Sequence, residues 1–247
     1  MKNKTVIITG ASTGIGKEIA NYFIAHESNV VMNSSNEENL RKAYNEFGSP
    51  SNAIYLAGDI SKQETGQKLV NLAMEKFNSV DVLINNAGVF APKPFLDVDE
   101  NDLDLFWNVN LKGTFYASQA AVRQMLTQEG GSIINIGTVL VDHAIDGFPA
   151  TAPITSKGAI HSLTRQLAAE FGKNNIKVNT IAPGIIRSPL QGKMGVDDAD
   201  SLAGLHLLNR IGEPIEIAKA AYYLAASNFV TGETINVAGG HTVGHSI

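Results

Sequence analysis

The sequence predicts an α/β protein, a doubly wound three-layer sandwich with a seven-stranded, mostly parallel sheet. Three observations predict it. Short runs dense in Val, Ile and Leu recur at 5–9, 29–33, 53–57, 80–84, 132–136, 177–181 and 234–237. Strands so continuously apolar suit a parallel sheet covered on both faces. Amphipathic helical stretches lie between them at 16–26, 37–47, 64–77, 101–128, 154–171 and 215–226, and right-handed crossovers then put helices on both sides. A glycine-rich turn follows the first strand. No low-complexity linker divides the 247 residues, so a single domain over 1–247 is expected.

Taken in order, the strand ends matter most, because ligands bind beyond the carboxyl ends of the strands in such sheets. The first strand runs into Thr9-Gly10-Ala11-Ser12-Thr13-Gly14-Ile15-Gly16, which opens the first helix. Gly10 permits a tight turn, Gly14 lets a phosphate approach the backbone, and Gly16 allows close helix–sheet contact. A pyrophosphate would lie against free N–H groups at the helix start, as in Rossmann-type dinucleotide sites. The second strand leads into Val31-Met32-Asn33-Ser34-Ser35-Asn36. No acidic residue stands there to hold a ribose 2′-hydroxyl, which weakens the case for NAD. No Arg or Lys stands there either, and Thr13 is neutral. Ser34 and Ser35 can hydrogen-bond a 2′-phosphate, with Arg41 contributing if its helix turns it inward, so NADP is slightly preferred over NAD.

Asp59, after the third strand, either accepts a hydrogen bond from an adenine amino group or caps the helix that follows Ser61. After the fourth strand, Asn86, Ala87 and Gly88 would let backbone approach the cofactor ribose; an ordinary turn is the alternative. Residues 189–213, between the sixth strand and the next helix, read as a substrate flap, because long loops in compact domains often serve as lids.

Composition narrows the function classes. Charged residues are 17% and the net charge is −5 without a basic block, which disfavours a nucleic-acid surface. The absence of cysteine removes disulfides and thiol nucleophiles. No apolar run approaches the ~18 residues of a membrane span, and the first strand starts too early for a secretory signal. A cytoplasmic protein is expected.

Together these segments resemble the short-chain dehydrogenase/reductase family, close in layout to 3-oxoacyl-carrier-protein reductases and to sugar or steroid dehydrogenases. The resemblance runs from about Thr5 to Gly240 and rests on the glycine turn, Asn85-Asn86-Ala87-Gly88, Val109-Asn110, residues 134–138, Lys157, Pro183-Gly184, Thr231-Gly232 and Gly239-Gly240. It implies hydride transfer between a nicotinamide and a carbonyl or alcohol. It adds Ile60 to the adenine side, places nicotinamide between Gly88, Lys157 and Ile186, and puts Ser188 near its amide or phosphate. It also implies a homotetramer or homodimer paired through the helices at 101–128 and 154–171.

In that family a Ser polarises the substrate oxygen, a Tyr transfers the proton, a Lys lowers the Tyr pKa and holds the ribose, and an Asn supports a water relay. Asn110 and Lys157 are present. Thr138 stands for the Ser and keeps a hydroxyl. Pro153 stands for the Tyr, and no tyrosine occurs between Tyr116 and Tyr222. Proline suits a first helical turn but has no side-chain proton. The loop from Thr138 to Lys157 also reads about two residues longer than is usual in the family.

His143, with Asp142 or Asp146 beside it, is the chemically best substitute acid, since an imidazole titrates near ~6.5; a surface or packing role is the plainer reading. Thr151 and Thr155 are poor acids. His206 lies in the flap and His241 and His245 in the tail, with no metal signature. Phe90, Phe95, Val141, Ile145 and Phe148 supply an apolar wall, and Arg187 an anion contact. Two functions follow from these residues: an atypical NAD(P)-dependent oxidoreductase with a non-standard proton donor, or a catalytically silent dinucleotide-binding module or inactive oligomer subunit.

Overall fold

The computed structural model describes residues 1–193 and 197–244; residues 194–196 of the expected flap and His245 lie outside the described residues. Seven strands form one parallel sheet in the order β3-β2-β1-β4-β5-β6-β7. They are β1 (Thr5–Ile8), β2 (Asn29–Ser34), β3 (Ala53–Ala57), β4 (Val82–Asn85), β5 (Gly131–Ile136), β6 (Ile176–Pro183) and β7 (Thr234–Val237). Helices α1 (Gly14–Ala25), α2 (Glu37–Glu46), α3 (Gln63–Phe77), α4 (Glu100–Phe106), α5 (Gly113–Met125), α6 (Thr151–Phe171), α7 (Pro189–Lys193) and α8 (Pro214–Ala226) connect them. The strand order reverses between β1 and β4, and a crevice opens beyond the strand ends at such a reversal.

Side chains alternate across the strands, so successive residues serve two cores. Val6 and Ile8 pack with Ile19 and Phe23 of α1 and Leu224 of α8. Ile7 between them turns to the opposite layer, with Leu69 of α3 and Ala121 and Met125 of α5. Both faces are covered, and this explains why the strands are rich in Val, Ile and Leu.

Most boundaries shift by a residue or two from the sequence reading, and three differences stand out. The stretch expected as one helix over 101–128 is interrupted by a π-helical turn at Trp107–Lys112. A π turn inserts a residue into the helical register and often marks a functional position; here it carries the fully buried Asn110. Helix α6 begins at Thr151 rather than 154. Strand β4 begins at Val82 rather than 80, because Ser79 and Asp81 are taken up in a polar lock.

The Asp81 carboxylate accepts from Thr5 N at 2.8 Å, Lys4 Nζ at 2.9 Å and Ser79 Oγ at 2.7 Å. Burial opposes its ionisation, but these donors outweigh burial and hold its pKa below the usual carboxylate value. Asp81→Asn is expected to cost about 2 kcal/mol at neutral pH, the range for hydrogen bonds to a charged group. A carboxyl with a depressed native pKa stabilises the fold above its unfolded pKa of about 3.9 and loses that contribution as pH falls through the native value. Urea unfolding should therefore show a gap between wild type and variant that closes below about pH 4.

Candidate active site

The turn after β1 is shaped by glycines at two positions where a side chain is excluded. Gly10 has φ +66° and Gly14 has φ +54°, both in the left-handed region. A Cβ on Gly10 would stand 2.8 Å from Ala87 Cα, so the turns after β1 and β4 touch. A Cβ on Gly14 would meet Ser188 Cβ at 3.3 Å, which brings the segment after β6 to the same place. The N-cap of α1, Thr13, makes no side-chain capping bond. The first N–H groups of the helix are thus left to an external acceptor, and the site fits a dinucleotide pyrophosphate.

Asn86 fastens this turn. Its Nδ2 donates to Thr9 O at 3.0 Å and Gly10 O at 3.1 Å. In return Thr9 Oγ1 accepts from Asn86 N at 3.1 Å and Ala87 N at 3.0 Å. The Thr9 hydroxyl escaped the sequence reading, because its partners lie over seventy residues away in β4's loop. Gly16 is required by the same amide: a Cβ there would lie 2.3 Å from Asn86 Nδ2 and from Gly10 O.

On the side expected for adenosine, Ser12 Oγ and Ser34 Oγ are 2.9 Å apart. Ser35 and Arg41 are exposed, so Arg41 is not turned inward. Asp59 Oδ1 accepts from Ser61 N at 2.9 Å and Asp59 O from Thr65 Oγ1 at 2.7 Å; the side chain closes a turn ahead of α3, whose N-cap is Lys62 with no side-chain capping bond. Ile60 is buried where Gly113 approaches it, since a Cβ on Gly113 would sit 2.8 Å from Ile60 Cγ2.

The catalytic candidates converge at the ends of β4 and β5. Asn110 Oδ1 accepts from Val89 N at 2.8 Å, and its Nδ2 donates to Val89 O at 3.0 Å and Ser156 Oγ at 2.9 Å. Ser156 Oγ donates onward to Pro153 O at 2.7 Å. A Cβ on Gly88 would stand 3.1 Å from both Asn110 Oδ1 and Lys157 Nζ. Lys157 is 8% exposed and donates to Ile136 O at 2.7 Å. Burial without a carboxylate partner lowers its pKa to about 8. Thr138 caps the short 3₁₀ turn Val139–Val141 by accepting from Leu140 N at 3.2 Å. Pro153, buried in the first turn of α6, precedes Lys157 by one turn.

Three of the histidines meet one another. The His143 ring meets His241 edge-on with centroids 5.3 Å apart, and His241 meets His206 at 5.3 Å. His206 is buried, and its Nε2 accepts from Ile185 N at 3.1 Å. It therefore anchors the 199–205 turn (Ala199–Leu205) beside Gly184 and Gly239. Arg187, expected to meet an anion, is instead tied to Asp200 at 2.7 Å and Glu213 at 2.9 Å. Phe90 and Phe148 stack at 6.0 Å, and Lys93 N donates to Pro149 O at 2.7 Å, so the extended loop is pinned across the cleft mouth. Phe95 is exposed. Ile186 is buried and bridges to Gly212, while Pro183 ends β6 next to Gly184. Among the described residues no group of three His, Cys, Asp or Glu side chains is placed to hold a metal, and no helix is long and apolar enough to cross a membrane.

A glycine turn at the strand reversal, with a lysine, an asparagine and a hydroxyl converging on the neighbouring strand ends, defines a dinucleotide-type site of the short-chain dehydrogenase/reductase kind. The enoyl-(acyl carrier protein) reductase model matches residues 10–242, and the chain belongs to the short-chain dehydrogenase/reductase family. It is 37% identical to L-rhamnose-1-dehydrogenase of Scheffersomyces stipitis, over 97% of this chain and 96% of that one. It is 32% identical to 3-oxoacyl-[acyl-carrier-protein] reductase FabG of Thermotoga maritima, over 97% and 98%. The solved structure of ElxO with NADP bound superimposes with a TM-score of 0.90 at 30% identity, covering 98% of this chain and 99% of that one.

Proposed function

We propose that this protein is an atypical NAD(P)-dependent oxidoreductase acting between a carbonyl and an alcohol, with the proton supplied by a group other than tyrosine. The observation that carries the reading is the pairing of Gly88 with Lys157 and Asn110 directly across the strand reversal from an uncapped α1 N-terminus. The relatives point the same way, since two are named for dehydrogenase or reductase activity and one holds NADP.

When bound, a nicotinamide dinucleotide supplies or accepts the hydride. The chain's residues do the rest. Gly10, Gly14 and the first N–H groups of α1, with Ser12, Thr13, Ile15 and Gly16 in the same turn, hold the phosphates; Ser34, Ser35, Asp59 and Ile60 flank the adenosine. Asn86 fixes the turn against Ala87 and Gly88, while Pro183, Gly184, Ile186 and Ser188 close the opposite wall. Thr138 already accepts from a backbone N–H, which leaves its own O–H to polarise a substrate oxygen. Asn110 holds the Val89 backbone and thereby the floor of the pocket. Pro153 stands where the family's tyrosine would be and adds only apolar bulk. The described parts of the flap, residues 189–193 and 197–213, cover a small or uncharged substrate body beside Phe90 and Phe148.

NADP is preferred in this reading because two hydroxyls and no carboxylate meet at Ser12 and Ser34. Ser34→Asp is expected to shift the ratio of Kd values toward NADH by about tenfold, or 1.4 kcal/mol, through repulsion of the 2′-phosphate and a new acceptor for the ribose hydroxyl. Isothermal titration with both cofactors checks this. A homodimer or homotetramer assembled through the exposed Leu103, Leu105 and Phe115 of α4 and α5 completes the reading, with the cytoplasm as its location and neither nucleic acid nor membrane as partner.

The oxidoreductase reading is tested by turnover across a panel of carbonyls and alcohols with each cofactor. Tight cofactor binding with no turnover anywhere would make the protein a silent dinucleotide module instead.

A further inference from the structure

We propose that the Lys157 ammonium is itself the acid, delivering its proton directly to the oxygen of the carbonyl substrate. The proposal rests on the oxidoreductase reading above. On α6, Pro153, Lys157 and His161 recur at four-residue spacing and share one face. Pro153 brings no donor to that face. Lys157 Nζ gives one hydrogen to Ile136 O, two residues before Thr138, and an ammonium has three to give. Among the described residues no carboxylate forms an ion pair with it. Its head packs against Gly88 beside the Asn110 amide, since a Cβ on Gly88 would stand 3.1 Å from both Lys157 Nζ and Asn110 Oδ1.

The neighbouring polar groups are committed. The Asn110 amide is taken up by Val89 and Ser156, and the Ser156 hydroxyl by Pro153 O. Thr138 can polarise an oxygen, but an aliphatic hydroxyl ionises too reluctantly to act as the acid. The acidity of a lysine ammonium responds readily to burial. Burial here brings the ammonium to about 8, within reach of neutral pH, where a general acid combines correct protonation with a workable driving force.

The other ionisable groups on this face leave that acid undisturbed. His161 is 2% exposed, and its ring fills the space behind Gly137, where a Cβ would stand 2.2 Å from Nε2. Burial lowers its pKa, against the pull of Asp142 and with the push of Arg165 and Lys157. The imidazole is therefore neutral at pH 7 and puts no second positive charge beside Lys157.

In reduction the carbonyl carbon takes hydride from a reduced nicotinamide dinucleotide, which is oxidised. The carbonyl oxygen takes the Lys157 proton: one N–H bond breaks, one O–H bond forms, and the neutral amine is reprotonated from solvent. Alcohol oxidation runs in reverse and requires the neutral amine. Reduction should accordingly fall as pH rises through about 8 and oxidation should rise through the same value.

Two measurements test this. An NMR titration of ¹⁵N-lysine protein without cofactor, assigned with Lys157→Arg, is expected to show one Nζ midpoint near 8; a Lys157 midpoint above about 10, the ordinary lysine range, overturns the proposal. Arginine keeps the positive charge and N–H donors but does not release a proton. Lys157→Arg should therefore bind NADPH within about tenfold of wild type while kcat drops about 100-fold and the limb near 8 vanishes. A Lys157→Arg enzyme that retains kcat and the limb, or a His143→Gln enzyme that loses the limb, overturns the proposal and leaves the oxidoreductase reading standing. No wild-type turnover with any panel substrate overturns both.

Discussion

Lys157→Met is expected to give a protein that is more stable than wild type and inactive. The side chain is buried with no carboxylate beside it, and replacing such a charge with apolar bulk of similar volume is neutral or stabilising, here by about 2 kcal/mol. The native lysine releases its proton near 8, whereas the unfolded chain holds it to about 10.4. Between those values the unfolded state binds more protons, so wild-type stability rises with pH. Below 8 the penalty of the buried ammonium is fully present. The advantage of Lys157→Met should thus be largest at neutral pH and shrink as pH climbs through that window. Loss of the acid should lower kcat by about 100-fold or more. Thermal unfolding across pH, paired with turnover, measures both. A residue kept at a cost to stability fits a chemical role better than a packing role.

Gly16→Ala is the second large effect, and of opposite character. The added methyl would fall 2.3 Å from Asn86 Nδ2 and from Gly10 O, and one of those is backbone that cannot swing aside. The Asn86 bonds to Thr9 and Gly10 would break, and with them the contact between the turns after β1 and β4. A loss of about 3 kcal/mol is expected from overpacking at such a site. Dinucleotide affinity should fall beyond detection by isothermal titration even where the variant folds. Gly48→Ala in the loop after α2 is the control, because a Cβ there meets nothing within 4 Å; its φ of +81° strains the backbone while leaving the cofactor turn intact.

The elements that sequence reading located were those specified by local pattern. β-branched runs place the strands within a few residues, and Gly10, Gly14 and Gly16 announce a turn in which the first two take φ values that only glycine adopts freely and the third has no room for a Cβ. What escaped depends on contacts between distant segments. The π turn at Trp107–Lys112 is invisible because 101–128 reads as one helical stretch, and the register shifts where Asn110 clamps Val89. The buried place of His161 depends on Gly137, just past β5, which leaves room for its ring. His206 lies in the flap sequence, and its acceptor bond to Ile185 and its contact with Gly239 make it an anchor. Arg187 drew attention as a cation in the right loop, and two carboxylates from later segments take it up.

Hydride transfer by a chain whose described site holds Thr138, Asn110 and Lys157 but no tyrosine is tested most directly by isotope. NADPH carrying deuterium at the nicotinamide C4 position, incubated with the protein and a carbonyl panel, is predicted to give at least one alcohol product with deuterium on the former carbonyl carbon. Tight binding of the labelled cofactor with no deuterium in any product, under conditions where a tyrosine-containing reductase transfers it, would contradict the account.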